Sequence, residues 1–401
     1  MKVALVHDYL KGEGGAEQVL LALHEIYPSA PIYTIFSSIK KNSTLGEKFG
    51  GARIIESWFG KLPYKERLIS PLRFLIPLIW RSLDFSDYDL VISSASWAIT
   101  KGFLPSSRRG GTTARRSGVE VCYCHTPPRY LYGYETSRDL GKNIFIRIYA
   151  AVVNHFMRLY DWERAQKVDF FIANSREVQS RIKKFYRRES TVIYPPVEIP
   201  NECKVQSAKC KVKENYYITG GRLERPKNFD LIIEACSRLK LPLKIYGVGS
   251  QIENLKKTAG STIEFMGSVT DEEKFKLLSG AKAFIAMAED EDFGITPVEA
   301  MAAGTPVIAY RGGGYLETVI DPPSSRQPAG LRTGKGKTGV FVDDATVKSL
   351  IRAIGDFGEV GRAIKPEDCR RQAEKFNKER FKKEFEKFVK DNARITRSRD
   401  D

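Results

Sequence analysis

Two carboxylates in one short segment have the type and the spacing to bind a ligand rich in hydroxyl groups. Residues 289–310 read EDEDFGITPVEAMAAGTPVIAY, and Glu291 and Glu299 within them are separated by seven residues. The acids follow AKAFIAMA, an apolar run typical of a buried strand, so they lie at its carboxyl end. Carboxylates accept hydrogen bonds from hydroxyls strongly. The segment therefore predicts a site for sugar hydroxyls.

A basic segment, GGRLERPKNFD, offers complementary chemistry after another apolar run. Gly220 and Gly221 allow the backbone to approach a ligand closely, and Arg222 and Lys227 lie five residues apart. A forked guanidinium and a mobile ammonium suit a diphosphate, and together with sugar-binding acids they indicate a nucleotide sugar. A solvated basic turn before a helix is the alternative interpretation of this segment.

The second acid also has a purely structural interpretation. Thr296 suits an N-cap, Pro297 the first helical position and Gly304 the end of the helix. The sequence TPVE then places Glu299 in a capping box. That interpretation explains neither Glu291 nor the later GGGYLE, and the free N–H groups of a helix N-terminus at this point attract anions.

Other signals for a cofactor or a metal are weaker. Gly247 and Gly249 open a dinucleotide fingerprint that lacks its third glycine, which argues against a nicotinamide enzyme. Asp290 and Asp292 form a D-x-D pair, so a metal-dependent transferase stays open as an alternative. The six cysteines form no C-x-x-C pair. We therefore predict no metal and no cofactor other than a nucleotide-sugar substrate.

Composition limits the class of protein. The chain has 401 residues, of which 42% are hydrophobic and 28% charged, as is typical of a globular protein. Its first residues are not expected to form a signal sequence, and we predict a cytoplasmic location. Its net charge of +16 favours anionic partners, but no zinc-finger or RNP motif supports nucleic acid. The apolar stretches 68–80 and 143–162 do not span a bilayer. The second predicts an amphipathic helix whose polar face carries Arg147, Ala151, Asn154, Arg158 and Asp161.

The elements that position these residues alternate between strands and helices in both halves. Runs such as KVALVHDY, DLVISSA, VEVCYCH and VDFFIANS indicate a parallel sheet in the first half, and the second half repeats the theme. We predict an α/β protein with two doubly wound, Rossmann-like domains that face a cleft. The predicted bounds are 1–197 for the first domain, 198–215 for a linker, 216–365 for the second domain and 366–401 for a basic helix.

The segments EDFGITPVEAMAAGTPVIAYRGGGYLE and GGRLERPKNFDLIIEA resemble the retaining group 1 (family 4) glycosyltransferases with the GT-B fold. GGAEQVL, residues 14–20, is similar to the first glycine-rich loop of that family, so the resemblance covers nearly the whole chain. It implies that the second domain holds the nucleotide sugar and the first the acceptor. One departure is RPKN, since many members have Lys-Gly where this chain has Lys227 followed by Asn228.

The resemblance also implies roles for individual residues. Glu299 is expected at the donor ribose, Glu291 at the transferred hexose, and Arg222 with Lys227 at the diphosphate. His125, in CYCHTPPRY, is similar to the active-site histidine of the family, whereas the other three histidines are interpreted as structural. The remaining residues expected to line the donor through their backbone are Gly14, Gly15, Gly221, Phe293, Gly294 and Ile295.

The donor and the acceptor follow from a narrower likeness. VHDYLKGEGGAEQVLLALHEIYPSAPIYT and CYCHTPPRYLY look like bacterial mannosyltransferases that assemble O-antigen (lipopolysaccharide) and exopolysaccharide. This favours GDP-mannose, with UDP-glucose or UDP-N-acetylglucosamine as alternatives, and the turn GSVTD at 267–271 as a wall of the base site. The acceptor is then a saccharide or a lipid-linked saccharide.

Membrane binding is a further expectation. Basic residues including Lys65 and Arg73 surround the apolar stretch 68–80, and the segment 106–118 is rich in arginine. Basic residues beside exposed apolar side chains bind anionic membrane surfaces. The sequence thus predicts a peripheral enzyme on the inner face of the plasma membrane. The alternative is that 68–80 packs in the domain core and the charges are merely solvated.

Overall fold

A computed structural model describes residues 1–12, 14–39, 44–104, 118–136, 143–199, 214–321 and 337–397 of the chain. The chain folds into two compact units. Unit 1 comprises Met1–Tyr134, Asp139–Pro196 and Glu379–Asp401, and unit 2 comprises Glu135–Arg138 and Val197–Lys378. Most of the predicted linker, and the basic segment up to residue 117, lie outside the described residues.

Unit 1 contains a seven-stranded sheet in the order β3-β2-β1-β4-β5-β6-β7, in which all neighbours pair in parallel. Its central strand LVISSA is buried along its whole length, as expected where helices cover both faces of a parallel sheet. The strands are Val3–His7 (β1), Ile32–Thr34 (β2), Ile54–Glu56 (β3), Leu90–Ala95 (β4), Val119–Cys124 (β5), Phe170–Ala173 (β6) and Ser190–Val192 (β7).

Seven α-helices are described in unit 1, and the longest is the 24-residue α5. They are Gly15–Ile26 (α1), Thr44–Lys48 (α2), Lys65–Leu68 (α3), Ile76–Arg81 (α4), Ile144–Lys167 (α5), Arg176–Tyr186 (α6) and, from the end of the chain, Lys378–Arg397 (α14). None of the helices in the described residues is long and apolar enough to cross a membrane.

Unit 2 repeats the topology with six parallel strands in the order β10-β9-β8-β11-β12-β13. The strands are Tyr217–Gly220 (β8), Leu243–Tyr246 (β9), Ile263–Gly267 (β10), Phe284–Ala286 (β11), Val307–Tyr310 (β12) and Gly339–Val342 (β13). The helices are Phe229–Arg238 (α7), Ile252–Thr258 (α8), Asp271–Gly280 (α9), Ile295–Ala302 (α10), Tyr315–Thr318 (α11), Val347–Val360 (α12) and Pro366–Glu374 (α13). Two doubly wound sheets confirm the predicted fold class.

The end of the chain differs from the single basic helix predicted for 366–401. Helix α13 ends at Glu374, and α14 begins at Lys378. The apolar face of α14 buries Phe381 and Phe385 in the core of unit 1, where the Phe381 ring meets Tyr123 at 5.8 Å between centroids. Unit 2 therefore extends to Lys378 rather than to residue 365, and α14 is part of the first unit.

The stretch predicted to bind a membrane packs mostly in the core of unit 1. Ile76, Ile79 and Trp80 are buried there. Arg73 is only 8% exposed and donates from Nε to Asn154 Oδ1 at 2.9 Å. Lys65 pairs with Glu56 at 3.2 Å. The prediction that Arg73 is a surface charge is therefore wrong, because Arg73 is buried and donates a hydrogen bond to Asn154 of helix α5.

Candidate functional site

The order of the strands in unit 2 reverses between β8 and β11. From β8 the chain adds β9 and β10 on one side, whereas β11 begins the extension β12-β13 on the other. Ligands of open α/β sheets bind beyond the carboxyl ends of the strands at such a switch point. The loops that leave these two strands span Gly221–Asn228 and Met287–Gly294, and they contain the predicted basic and acidic residues.

Lys227 and Glu291 form an ion pair across these two loops. The side chain of Lys227 is 36% exposed and that of Glu291 14% exposed, so water and ligands reach both. The structure thus brings together a cation predicted for a diphosphate and a carboxylate predicted for a sugar. An anionic ligand that binds Lys227 would release the Glu291 carboxylate for a neutral hydroxylated partner.

Asn228 compensates for the glycine that many members of the resembling family have at this point. It adopts φ +53°, a left-handed conformation that asparagine tolerates better than most residues. Its side-chain amide donates to the carbonyl of Met287 at 2.9 Å. The departure in RPKN therefore leaves the local backbone able to turn, and it adds a hydrogen bond that ties the basic loop to the acidic one.

Gly221 and Arg222 lie at the carboxyl end of β8. Gly221 has φ +115°, a region that L side chains rarely adopt, and its N–H donates to the carbonyl of Tyr246 at 3.1 Å. Arg222 is exposed, and its side chain forms no ion pair with any residue that the structure describes. A guanidinium in this position can bind an incoming anion without first leaving an internal partner.

The helix after the acidic loop begins two residues earlier than the sequence predicts. The N-cap of α10 is Gly294, with φ +90°, and Thr296 is already the second helical residue. A Cβ atom at Gly294 would lie 2.8 Å from the ring of Tyr315, so close packing as well as conformation requires glycine. The predicted capping box with Glu299 is wrong, whereas Gly304, with φ +81°, ends the helix as predicted.

Glu299 instead pairs with Lys274 of α9 at 3.0 Å, a residue that the sequence analysis missed. Lys274 also binds Asp271 at 3.0 Å. Burial alone lowers the pKa of Lys274, but the carboxylates of Glu299 and Asp271 together raise it above its ordinary value. Lys274 is therefore a cation, shared with Asp271, that holds the Glu299 carboxylate in place.

The turn predicted as a wall of the base site leads into a capping box. The Thr270 hydroxyl accepts from the N–H of Glu273 at 3.2 Å, and the Glu273 carboxylate accepts from the N–H of Thr270 at 2.8 Å. This cap fixes the first turn of α9, from which Lys274 reaches Glu299. The pattern T-x-x-E at 270–273 is the signal that could have placed the start of this helix.

The backbone of the acidic loop is supported from behind by GGGYLE. The N–H of Gly314 donates to the carbonyl of Glu291 at 2.8 Å. Phe293 is buried, with its ring 5.3 Å from that of Phe376. These contacts hold the main chain from Glu291 to Ile295, and they leave the backbone rather than the Phe293 side chain to face a ligand. Within the described residues, no group of three or more His, Cys, Asp or Glu side chains is arranged to hold a metal ion.

In unit 1, His125 follows β5 and forms one end of a buried line of hydrogen bonds. The Ser94 hydroxyl lies 2.8 Å from His125 Nε2 and 3.0 Å from His7 Nδ1. A hydroxyl has one proton, so Ser94 can donate to at most one of the two imidazoles and must accept from at least one of them. Burial, and secondarily the nearby His7, lower the pKa of His125 to about 3. His125 is therefore a neutral imidazole at physiological pH.

His7 shares this arrangement although the sequence analysis treated it as structural. It ends β1, Ser94 lies in β4, and these are the two strands between which the order of the first sheet reverses. The prediction of an active-site histidine rested only on the motif CYCHTPPRY around His125. The positions of histidines at the carboxyl ends of two strands were the signal that could have connected His7 with His125.

The loop after β1 leads to the glycine-rich turn. Gly14 is the N-cap of α1 in extended conformation, and Gly15 is the first helical residue. The neighbouring Asp8 is buried, and its carboxylate accepts from the N–H groups of Trp97 at 2.5 Å and Ala98 at 3.1 Å. Asp8 is a further residue that the sequence analysis missed, and it binds the end of β1 to the loop that follows β4.

The chain is similar to known glycosyltransferases over most of its length. Residues 202–376 match the family model described as glycosyl transferases group 1. The alpha-1,3/1,6-mannosyltransferase alg2 of Schizosaccharomyces pombe is 23% identical, covering 80% of this chain and 69% of the relative. The GDP-Man:Man(3)GlcNAc(2)-PP-Dol alpha-1,2-mannosyltransferase of Xenopus laevis is 24% identical, covering 81% and 76%.

Solved structures share the fold over almost the whole chain. Anabaena Alr3699/HepE, determined in complex with UDP and glucose, superposes with a TM-score of 0.67 at 18% identity, covering 97% of this chain and 99% of that one. Sucrose-phosphate synthase from Thermosynechococcus elongatus gives a TM-score of 0.68 at 16% identity, covering 98% and 99%. At these identities the likeness concerns the arrangement of strands and helices.

Proposed function

This chain is a group 1 glycosyltransferase of the GT-B fold, and we propose that it transfers mannose from GDP-mannose to a saccharide or lipid-linked saccharide with retention of anomeric configuration. The choice of mannose is supported by the relatives, which are named mannosyltransferases, one of them with GDP-Man as donor. The sequence likeness to bacterial enzymes of surface polysaccharide synthesis supports the proposal that the reaction belongs to that synthesis.

The ion pair between Lys227 and Glu291 at the switch point of unit 2 carries the proposal. In the donor complex, Lys227 and the exposed Arg222 bind the diphosphate, since both are cations at the end of the same strand. Glu291, relieved of its lysine partner, accepts a hydrogen bond from a hydroxyl of the hexose. The N-terminus of α10 directs its free N–H groups at the same anionic part of the donor.

Glu299 binds the hydroxyls of the ribose. Its pairing with Lys274 supports this role, because a carboxylate held by a cation stays ionised and keeps a second oxygen to accept from a hydroxyl. A ribose does not carry the charge needed to displace Lys274. This contact therefore persists when the donor binds, whereas the pair between Lys227 and Glu291 exchanges partners.

The transfer reaction breaks the bond between the anomeric carbon and the oxygen of the β-phosphate, whose electron pair leaves with the nucleoside diphosphate. Arg222, Lys227 and the start of α10 stabilise this charge as it develops. The acceptor hydroxyl attacks the anomeric carbon from the same face, and the departing phosphate oxygen takes its proton. No enzymic nucleophile is required, and the positive groups already present take the part that a metal ion plays in other transferases.

In unit 1, we propose that His125 presents a neutral imidazole to a sugar hydroxyl. Its Nε2 is engaged by Ser94, so Nδ1 is the ring atom that a sugar hydroxyl would meet. The low pKa that burial imposes means that this contact does not depend on protonation near neutral pH. Gly14 and Gly15, at the start of α1 in the same unit, present backbone without side chains.

Thermal-shift measurements with nucleotide sugars test the proposed donor. We expect GDP-mannose to raise the melting temperature of the intact protein, and UDP-glucose and UDP-N-acetylglucosamine to raise it less. Transfer of labelled mannose to a lipid-linked saccharide, with NMR analysis of the new linkage, then tests the acceptor class and retention. Stabilisation by UDP-sugars and none by GDP-mannose would replace the donor with the UDP-sugar alternative. An inverted linkage would exclude the same-face reaction.

The proposed place of reaction is the cytoplasmic leaflet of the plasma membrane, where the protein is peripheral. The Xenopus laevis relative is named for an acceptor on PP-Dol, which supports a lipid-linked acceptor. The net charge of +16 favours an anionic lipid surface. A soluble saccharide acceptor that is turned over as fast as a lipid-linked one would remove the need for this location.

A further inference from the structure

Helix α5 is apolar on its outward face although its inward face already packs into unit 1. Ala150, Met157 and Ala165 are buried on the inward side. Phe145 and Phe156 are 78% and 65% exposed. The other apolar side chains that α5 exposes are Ile144, Ile146, Ile148, Tyr149, Val152, Leu159 and Trp162. A helix whose inward and outward faces are both apolar usually has apolar surroundings on both faces.

The exposed residues form one continuous stripe. Phe145, Ile148, Val152, Phe156 and Leu159 follow one another at intervals of three or four residues, which places them on the same face of the helix over four turns. Single exposed apolar residues are ordinary, but a contiguous patch of this kind marks an interaction surface.

The polar face that the sequence predicts for this helix is exposed to solvent only in part. Asp161 is completely buried, where it pairs with Lys101 and accepts from the Tyr132 hydroxyl at 2.7 Å. Asn154 accepts from Arg73 at 2.9 Å. Internal partners thus occupy Asn154 and Asp161, whereas Arg147 and Arg158 are exposed, and the apolar stripe is exposed as well.

Residues 71–78, which lead into the first turn of α4, extend the stripe. The Tyr149 hydroxyl donates to the carbonyl of Pro71, and the Arg73 guanidinium lies 5.4 Å from the centre of the Tyr149 ring. Phe74 and Leu78, beside these contacts in sequence, are 46% and 54% exposed. We call the combined apolar residues of α5 and this segment the α5 outer surface; they are Phe74, Leu78, Ile144, Phe145, Ile148, Val152, Phe156, Leu159 and Trp162.

The charges beside the α5 outer surface are mainly positive. Arg147 and Arg158 are exposed on α5, and Arg81, three residues after Leu78 at the end of α4, is exposed as well. Glu163 itself pairs with Lys167 at 2.8 Å. An apolar surface of another protein would need only the apolar stripe for its contacts, and not the arginines. Arginines along its margin favour a surface that is apolar inside and anionic at its boundary, as an anionic lipid leaflet is.

We propose that the α5 outer surface inserts its apolar side chains into the headgroup region of an anionic leaflet, with Arg81, Arg147 and Arg158 at the lipid phosphates. This inference rests on the proposed function in that it docks unit 1, the expected acceptor unit, on the membrane that holds a lipid-linked acceptor. It replaces Arg73 and Lys65, which have internal partners, with a different set of residues.

Vesicle sedimentation of the full-length protein tests the surface. Vesicles of equal parts phosphatidylcholine and phosphatidylglycerol are expected to bind the protein, and phosphatidylcholine alone to bind it much less. The double variant F145S/F156S should reduce binding at least about tenfold, and Arg158→Ala about fivefold. The matched controls are Leu239→Ser and Lys256→Ala, which remove an exposed apolar side chain and an exposed cation from unit 2 and should leave binding unchanged.

Tryptophan fluorescence gives a local readout. Trp162 is 48% exposed on the α5 outer surface, so anionic vesicles should shift its emission to shorter wavelength. The shift should disappear in Trp162→Phe, whose vesicle binding in sedimentation should remain. An equal shift in Trp162→Phe would mean that another tryptophan enters the lipid and would overturn the proposed surface.

Two further measurements separate this proposal from its competitors and from the proposed function. If F145S/F156S loses vesicle binding but keeps the thermal shift with GDP-mannose, the surface is supported independently of donor chemistry. If the wild-type protein binds vesicles yet shows no shift with any nucleotide sugar, the proposed function fails while the surface stands. Equal vesicle binding by wild type and double variant overturns the surface. A wild-type dimer that F145S/F156S dissociates, with no vesicle binding, would assign the surface to a second copy of the chain.

Discussion

The six strands of the second sheet follow the same order as the first six strands of the seven-stranded sheet. The residues at the two points where this order reverses nevertheless differ in burial and charge. In unit 1, His7, Ser94 and His125 are buried and joined by hydrogen bonds. In unit 2, Lys227 and Glu291 carry opposite charges and are partly exposed. The same topology thus produces a sealed polar line in one unit and an open ion pair in the other.

Burial explains the different roles that we propose for His125 and for the pair of Lys227 and Glu291. A buried imidazole pays a large desolvation penalty when it is charged, so His125 keeps one protonation state and one set of partners. A partly exposed ion pair contributes little to stability, because water competes for both charges. The pair between Lys227 and Glu291 can therefore separate when a diphosphate arrives, and the fold does not depend on it.

Breaking the open pair should give the largest effect. We expect Lys227→Ala to lower kcat/KM for mannosyl transfer by about ten- to a hundredfold, since it removes a charge-assisted contact worth about 1.5–3 kcal/mol. The melting temperature without donor should change little, because the pair is partly exposed. Lys256→Ala, which removes an exposed lysine of the same unit, is the control. Near-wild-type turnover in Lys227→Ala would contradict the assignment of the diphosphate site.

The second pair in unit 2 tests whether a carboxylate held by a cation has a different role. We expect Glu299→Ala to weaken donor binding and reduce kcat/KM by about tenfold or more, because a charge-assisted contact with ribose is lost. Lys274 keeps Asp271 as a partner, so the fold should be preserved. Binding of GDP-mannose measured by calorimetry is the readout, with Glu234→Ala as the control. Unchanged affinity would remove Glu299 from the donor site.

Periodicity and turn residues predicted the parts of the molecule that local sequence determines. The apolar runs correctly located β1, β4, β5 and β6, and the loops after β8 and β11 contain the predicted cations and acids. The glycine at 304 ended its helix as predicted. These features depend on neighbours in the chain, and for this reason the fold class could be inferred from the residues and the family likeness together.

Contacts between distant residues explain what the sequence did not predict. Lys274 and Glu299 lie 25 positions apart and meet because α9 and α10 pack side by side. Asp161 is buried and pairs with Lys101, 60 positions earlier, so this residue of the predicted polar face lies inwards. Helix α10 begins early because Gly294 fits against Tyr315, which follows in another helix. No pattern within one segment contains these partners.

The buried line in unit 1 should make stability depend on pH. The pKa of His125 is lowered from 6.5 to about 3 in the folded protein, so the unfolded chain binds the additional proton as pH falls. The stability contribution is complete above pH 6.5 and is lost towards pH 3, at up to about 1.4 kcal/mol per pH unit. The free energy of unfolding should therefore fall more steeply with acid in the wild type than in His125→Asn. Parallel curves would show that His125 is solvated.

The smallest expected effect concerns metal removal, and it tests whether the cations of unit 2 are sufficient. The charge that develops on the leaving diphosphate is met, in our proposal, by Arg222, Lys227 and the start of α10. Excess EDTA should then leave the initial rate of mannosyl transfer unchanged, and added Mg²⁺ or Mn²⁺ should not restore activity to Lys227→Ala. The double substitution of Asp290 and Asp292 by Asn serves as the comparison, because it removes the D-x-D pair without removing a cation. Loss of transfer in EDTA, with recovery on adding Mn²⁺ to the wild type but not to the Asn variant, would show that the acidic loop binds a metal ion and that the lysine and arginine alone do not stabilise the leaving group.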